Sequence, residues 1–125
     1  MKLQPDPKSS LNTVTSYEAD HIEVNAVKFE HSVIVMPEGD VDLWPISAFN
    51  DLTVANFEQI AAKKPELVIF GSGKTLRFPK PELLKPLIEA KIGFETMNTH
   101  AACRTYNILM GEGRNVLAAL ILDAE

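Results

Sequence analysis

With 125 residues, 46% of them apolar and 23% charged, the chain has the composition of one ordinary globular domain, large enough to bury roughly two thirds of its unfolded surface. Its 12 Lys and Arg against 17 Asp and Glu give a net charge of −5 without a basic cluster, which argues against nucleic acid as a partner. The single cysteine excludes an internal disulfide and a Cys-rich zinc site, and no apolar run reaches the roughly 18 residues of a membrane-spanning helix.

Residues 1–17, with Pro5, Pro7 and a polar Lys-Ser-Ser-Leu-Asn-Thr run, lack periodicity and read as a flexible tail before a single domain at 18–125. They contain neither an apolar core of a signal peptide nor an arginine of a transit peptide, so a cytoplasmic protein is expected. Strand character begins at Ile22. Ile22, Val24, Val27 and Phe29, then Ser32–Met36, predict two strands in a hairpin with its turn at Glu30-His31. Pro37–Asp40 reads as a turn, and Val41–Trp44 as an edge strand that stops at Pro45.

Thr53 is a good N-cap for a helix with Val54, Phe57, Ile60 and Ala61 at helical spacing, closed by Lys63, Lys64 and Pro65. Leu67–Phe70 is a continuous apolar run, as expected of a strand buried on both faces. Gly71-Ser72-Gly73 follows directly. A second helix is predicted within 80–91, kinked or late in starting because Pro86 cannot donate to the carbonyl of Glu82. Gly93 turns the chain into a strand at 94–97. Asn98 or Thr99 caps the last helix, Gly111 or Gly113 ends it, and Val116–Leu122 returns as a buried strand. This order implies right-handed crossovers, with 66–70 parallel to 94–97, in an α/β fold: a mixed central sheet with helices on its faces and an N-terminal β-hairpin element. The Gly71–Gly73 turn and the helix start near Asn98 then meet at one sheet edge, a usual place for ligands.

That edge supplies the candidate binding cleft: Gly71, Ser72, Gly73, Asn98, Thr99, His100, Cys103 and Arg104. Gly71-Ser72-Gly73-Lys74-Thr75 resembles the end of a phosphate loop, but Val68 stands where its first glycine belongs, and the third glycine of a dinucleotide fingerprint falls on Leu76. A tight turn, or anion binding by its amides, is what remains. Cys103, early in a helix with His100 three residues before it, reads either as an activated thiol or as a small packed residue. Tyr106 and Asn107 are polar groups that need partners. The three histidines have no metal-ligand spacing, and Trp44 beside Pro45 is a candidate partner contact or a cover for the sheet.

The strings Phe70-Gly71-Ser72-Gly73, Gly93–Met97, Ala102-Cys103-Arg104-Thr105-Tyr106-Asn107-Ile108-Leu109 and Glu112-Gly113-Arg114, followed by the Ala-rich Val116–Leu122, resemble a family of small single-domain proteins. Its mitochondrial members include complex I (NADH:ubiquinone oxidoreductase) assembly factor 3. The resemblance implies no catalytic residues and no cofactor. It implies instead a protein partner, among respiratory-complex or membrane-protein biogenesis components, and without a presequence a bacterial member is expected. Two classes therefore stand: a non-enzymatic assembly or scaffold protein, and a small anion-binding protein or thiol enzyme built on the Gly71–Gly73 turn and Cys103.

Overall fold

A computed structural model describes residues 11–123. The five-stranded sheet forms because two segments are apolar at every position. Leu67–Gly71 (β6) and Val116–Leu120 (β8) bury both faces, and they pair in parallel with Gly93–Met97 (β7) on the outer side of β6. On the other side of β8 lies antiparallel Val33–Val35 (β4), and beyond it the two-residue edge strand Asp42–Leu43 (β5). The order is β5-β4-β8-β6-β7, a mixed sheet.

A second sheet of three antiparallel strands joins Val14–Glu18 (β1), His21–Val24 (β2) and Val27–Phe29 (β3). It corrects two sequence expectations. The hairpin turn is Asn25-Ala26 rather than Glu30-His31: Val24 faces Val27, and both turn residues have positive φ, 49° and 69°. That is the backbone of the tight two-residue turns whose twist suits paired strands. Val33–Val35 consequently belongs to the other sheet. The proposed tail also ends too late, since residues 14–17 are strand, while residues 1–10 lie outside the described residues. Asn25 explains part of this, because its amide donates to the Thr13 carbonyl and its side chain accepts from the Thr13 N–H.

The helices are Val54–Ala61 (α1), Lys85–Glu89 (α2) and Thr99–Gly111 (α3). In α1 the Asn56 carboxamide accepts from the Thr53 N–H at 2.8 Å, closing the first turn. Pro86 acts as expected: a 3-10 turn, Pro81–Leu84, precedes α2 and places the proline in the first turn of the α-helix, where its missing N–H costs nothing. Lys91, with φ 59°, and Gly113, with φ 85°, end α2 and α3. At each end the two following amides turn back to helix carbonyls, Lys91 to Ile88 and Ile92 to Leu87, Gly113 to Met110 and Arg114 to Leu109.

Strand alternation divides the core into two layers. Val33, Val35, Ile69, Ala118 and Leu120 face α3 and the small sheet, in one buried cluster with Ile22, Val24, Tyr106 and Met110. Ile34, Val68, Phe70, Leu117 and Ala119 face α1 and α2, where Phe57, Ile60 and Leu87 are buried. Trp44 belongs to this second layer. Its ring is fully buried, set edge-on to Phe57 and Phe70 with centroids 6.2 and 6.0 Å away. The candidate partner contact at Trp44 is therefore corrected: Pro45 stops the strand, and the backbone bond from the Trp44 N–H to the Ser32 carbonyl holds the indole over the sheet.

Candidate functional site

The parallel pairing of β6 with β7 brings the Gly71–Gly73 turn against the start of α3, as the strand order predicts. The approach is close enough to require glycine. A Cβ on Gly71 would stand 2.9 Å from both the Cα and the Oγ1 of Thr99. Thr99 is fully buried and joins three elements: its N–H donates to the Gly73 carbonyl, its Oγ1 accepts the Gly73 N–H at 2.9 Å, and the same hydroxyl donates to the Ile121 carbonyl at 2.7 Å. Asn98 caps α3 through its side chain, which accepts the Ala101 N–H at 2.8 Å.

Ser72 is equally committed. Its N–H donates to Met97, its hydroxyl donates to the Thr75 carbonyl at 2.7 Å, and its Oγ accepts the Arg77 N–H at 3.0 Å. The next amide, of Lys74, donates to Oδ2 of Asp123 at 2.9 Å, and the Arg77 guanidinium reaches the other carboxylate oxygen at 3.3 Å. Gly73, with φ 106°, leaves the space for that carboxylate, since a Cβ there would lie 2.5 Å from Oδ2. The place that a bound anion would take at such a turn is filled by the protein's own acid. Asp123 and Arg77 are the two residues sequence reasoning missed. Each lies in a stretch without motif, and they meet only through the return of β8 beside β6.

Cys103 and His100 do not form a pair. The thiol is 4% exposed, and burial pushes its pKa up to about 12. An apolar surrounding disfavours the thiolate, the form that a nucleophile needs. His100 is exposed and stacks on the Tyr17 ring, centroids 5.9 Å apart. Burial, and then the charges of Cys103 and Asp123, raise the Tyr17 hydroxyl above its ordinary pKa. Arg104 points to solvent from the same helix. Between the small sheet and the turn lies an open cleft of about 440 Å³ lined by Tyr17, Glu18, Ala19, Gly73, Lys74, Asn98 and His100. Of the eight cleft residues named from sequence, the structure places Gly73, Asn98 and His100 on this wall. Gly71, Ser72 and Thr99 are buried beneath it as scaffolding, Cys103 is buried in the core, and Arg104 is exposed one helical turn beyond His100.

This arrangement defines a small α/β domain with a glycine turn locked to its last helix, the Mth938-like fold. Residues 14–121 match the family described as protein of unknown function (DUF498/DUF598), and the chain belongs to that family. The solution structure of a Mth938-like domain from Bordetella pertussis is similar to it, with 38% identity and a TM-score of 0.84 over 100% of this chain and 94% of that one. NADH dehydrogenase [ubiquinone] 1 alpha subcomplex assembly factor 3 of Bos taurus is 29% identical over 86% of this chain and 59% of its own length. The chain thus spans about three fifths of that relative. A 13 kDa major membrane protein of Francisella tularensis is also 29% identical, over 97% of this chain and 99% of its own. Among the described residues no helix is long and apolar enough to cross a membrane.

Proposed function

We propose that this chain is a non-enzymatic assembly or scaffold-type protein of the bacterial cytoplasm that works through protein contacts, with partners among respiratory-complex or membrane-protein biogenesis components. The observation that carries the reading is the occupied turn. The groups that suggested anion binding or a nucleophile at this edge are used inside the fold: the Gly73 and Lys74 amides by Thr99 and Asp123, the Ser72 hydroxyl by Thr75 and Arg77, and the Cys103 thiol by burial. Beside exposed Glu18, Ala19 and Lys74, the edge offers outward half-buried Tyr17 stacked on exposed His100, with Arg104 four residues further along the same helix face. Tyrosine and arginine are the side chains most often found at the energetic centres of interfaces, so this patch is the proposed contact surface. Kinship with an assembly factor supports the same reading.

The test is a photo-crosslinking residue at position 100, compared with one at exposed Glu38 on the opposite edge. Crosslinking to the same discrete protein from position 100 in native cells, and not from position 38, is expected. No discrete product from position 100, together with rapid turnover or labelling at Cys103, would favour the thiol-enzyme reading instead.

A further inference from the structure

Residues 74–80, Lys-Thr-Leu-Arg-Phe-Pro-Lys, carry three of the chain's 12 Lys and Arg and none of its 17 Asp and Glu. They run between the glycine turn and the 3-10 turn before α2 without helix or strand. Lys74, Thr75, Leu76, Phe78 and Lys80 all face solvent, whereas Arg77 is half-buried and Pro79 buried. Leu76 is 53% exposed and Phe78 69%, the most open large hydrophobic among the described residues. The segment is nonetheless held from beneath, by Ser72 at both Thr75 and Arg77 and by the Arg77 guanidinium, which grips Asp123 and lies 5.0 Å over the Phe49 ring.

We infer that this segment docks the protein on an anionic lipid surface, Leu76 and Phe78 entering the acyl boundary while Lys74 and Lys80 meet headgroup phosphates. Two exposed apolar side chains bracketed by exposed lysines, on a ribbon at most about 20 Å long, match the layered polarity of a bilayer surface. The rest of this acidic chain is repelled by such a surface, so the charge asymmetry turns this segment forward. A second copy of the chain fits worse, because a two-fold contact would set these cations against each other. A protein partner seated on this segment alone fits worse too, since stable interfaces engage about 20–30 residues a side. The inference goes beyond the scaffold reading and does not depend on it.

The experiment is co-sedimentation of the full chain with phosphatidylcholine vesicles, with and without phosphatidylglycerol, at low and high salt. At low salt, partition onto the anionic vesicles should be about tenfold stronger than onto phosphatidylcholine alone, and should fall at high salt. The double variants Leu76→Ser/Phe78→Ser and Lys74→Glu/Lys80→Glu should each lose about tenfold or more with unchanged unfolding midpoints, as expected of exposed positions. Phe78→Trp should give a blue-shifted emission with anionic vesicles against the constant background of buried Trp44. Equal partition onto both vesicle types, wild-type binding by either double variant, or an unshifted Phe78→Trp spectrum would overturn the inference. So would a protein partner captured through Leu76 and Phe78 by a chain that ignores vesicles. Changes at His100 or Arg104 should leave vesicle binding intact, which separates this test from that of the partner surface.

Discussion

The side chain of Asn107 serves Val14 as a neighbouring strand would. Its Oδ1 accepts the Val14 N–H at 2.9 Å and its Nδ2 donates to the Val14 carbonyl at 2.8 Å, across 93 residues of sequence. Beside it the Tyr106 hydroxyl donates to the Asn12 carbonyl at 2.7 Å. These two residues of α3 fasten the first strand of the small sheet to the main domain. Asn107→Leu, which keeps the bulk and removes both bonds, should cost about 2–3 kcal/mol in chemical denaturation, because two partly buried backbone groups lose their partner. Hydrogen exchange at Val14 should accelerate more than exchange in β6. Unchanged protection at Val14 would mean that the bonds contribute nothing to docking.

Gly71→Ala should destabilise the fold by about 2 kcal/mol. The added methyl meets the backbone and hydroxyl of Thr99 at 2.9 Å, and neither can rotate away without breaking the clamp on Gly73 and Ile121. Denaturant midpoints of the two proteins decide it.

Ala26→Gly should have the opposite sign. Ala26 holds a φ of 69° in the hairpin turn, a conformation that costs a residue with a Cβ roughly 1–2 kcal/mol and glycine almost nothing. Part of that gain is lost to the greater freedom of glycine in the unfolded chain, leaving a stabilisation of about 0.5–1 kcal/mol. A lowered melting temperature would contradict the assigned turn.

Asp123→Ala should empty the glycine turn, free the Lys74 amide and leave the Arg77 guanidinium with only the Ser72 carbonyl and the Phe49 ring. A loss of about 2 kcal/mol is expected for charge-assisted bonds that are only partly exposed. Sulfate should then raise the melting temperature of the variant more than that of the wild type, in which the carboxylate already holds the place. Equal sulfate responses would show that the turn is no anion cradle.

Burial raises the Cys103 thiol from its ordinary pKa of 9.0 to about 12. Between those values the unfolded chain has released a proton that the folded chain retains, so stability falls as pH rises. The contribution of the thiol is complete below about pH 9 and is lost towards pH 12. Cys103→Ala should flatten this alkaline limb in melting curves, though not abolish it, because Tyr106 and Tyr17 are also raised by burial. At neutral pH the wild-type thiol should react with alkylating reagents more slowly than a free cysteine.

Much of the architecture was readable wherever burial leaves a mark in composition. Leu67–Phe70 and Val116–Leu122 are apolar without alternation because both of their faces are covered, and the helix between successive parallel strands left little choice of topology. Thr53, Asn98 and Gly113 stand where caps and helix ends require them. The failures have a common origin in partners distant along the chain or in unfavoured backbone. Val14–Tyr17 shows weak strand character and is ordered by α3, 93 residues on. Ala26 is not a residue that announces a positive φ. Beside Pro45, Trp44 suits a partner contact as well as a cover for the sheet, and only the packing of Phe57 and Phe70 against it selects the inward position. At the candidate site the meeting of the glycine turn with α3 was legible from strand order. Its occupation by Asp123 was not, because nothing local to Asp123 or to Lys74, 49 residues away, marks them as partners.

A protein contact at the edge around Tyr17, His100 and Arg104, above a turn already filled from within, is the proposed mode of action. It is tested most directly by quantitative affinity capture from the native organism, comparing wild type with His100→Ala/Arg104→Ala. Both residues are exposed on α3, so the variant should melt with the wild type. One protein should be retained by the wild type and depleted at least about tenfold by the variant, the effect of losing roughly 1.4 kcal/mol of contact energy. Identical protein sets from both, with micromolar affinity of the wild type for a small anion by calorimetry, would contradict it.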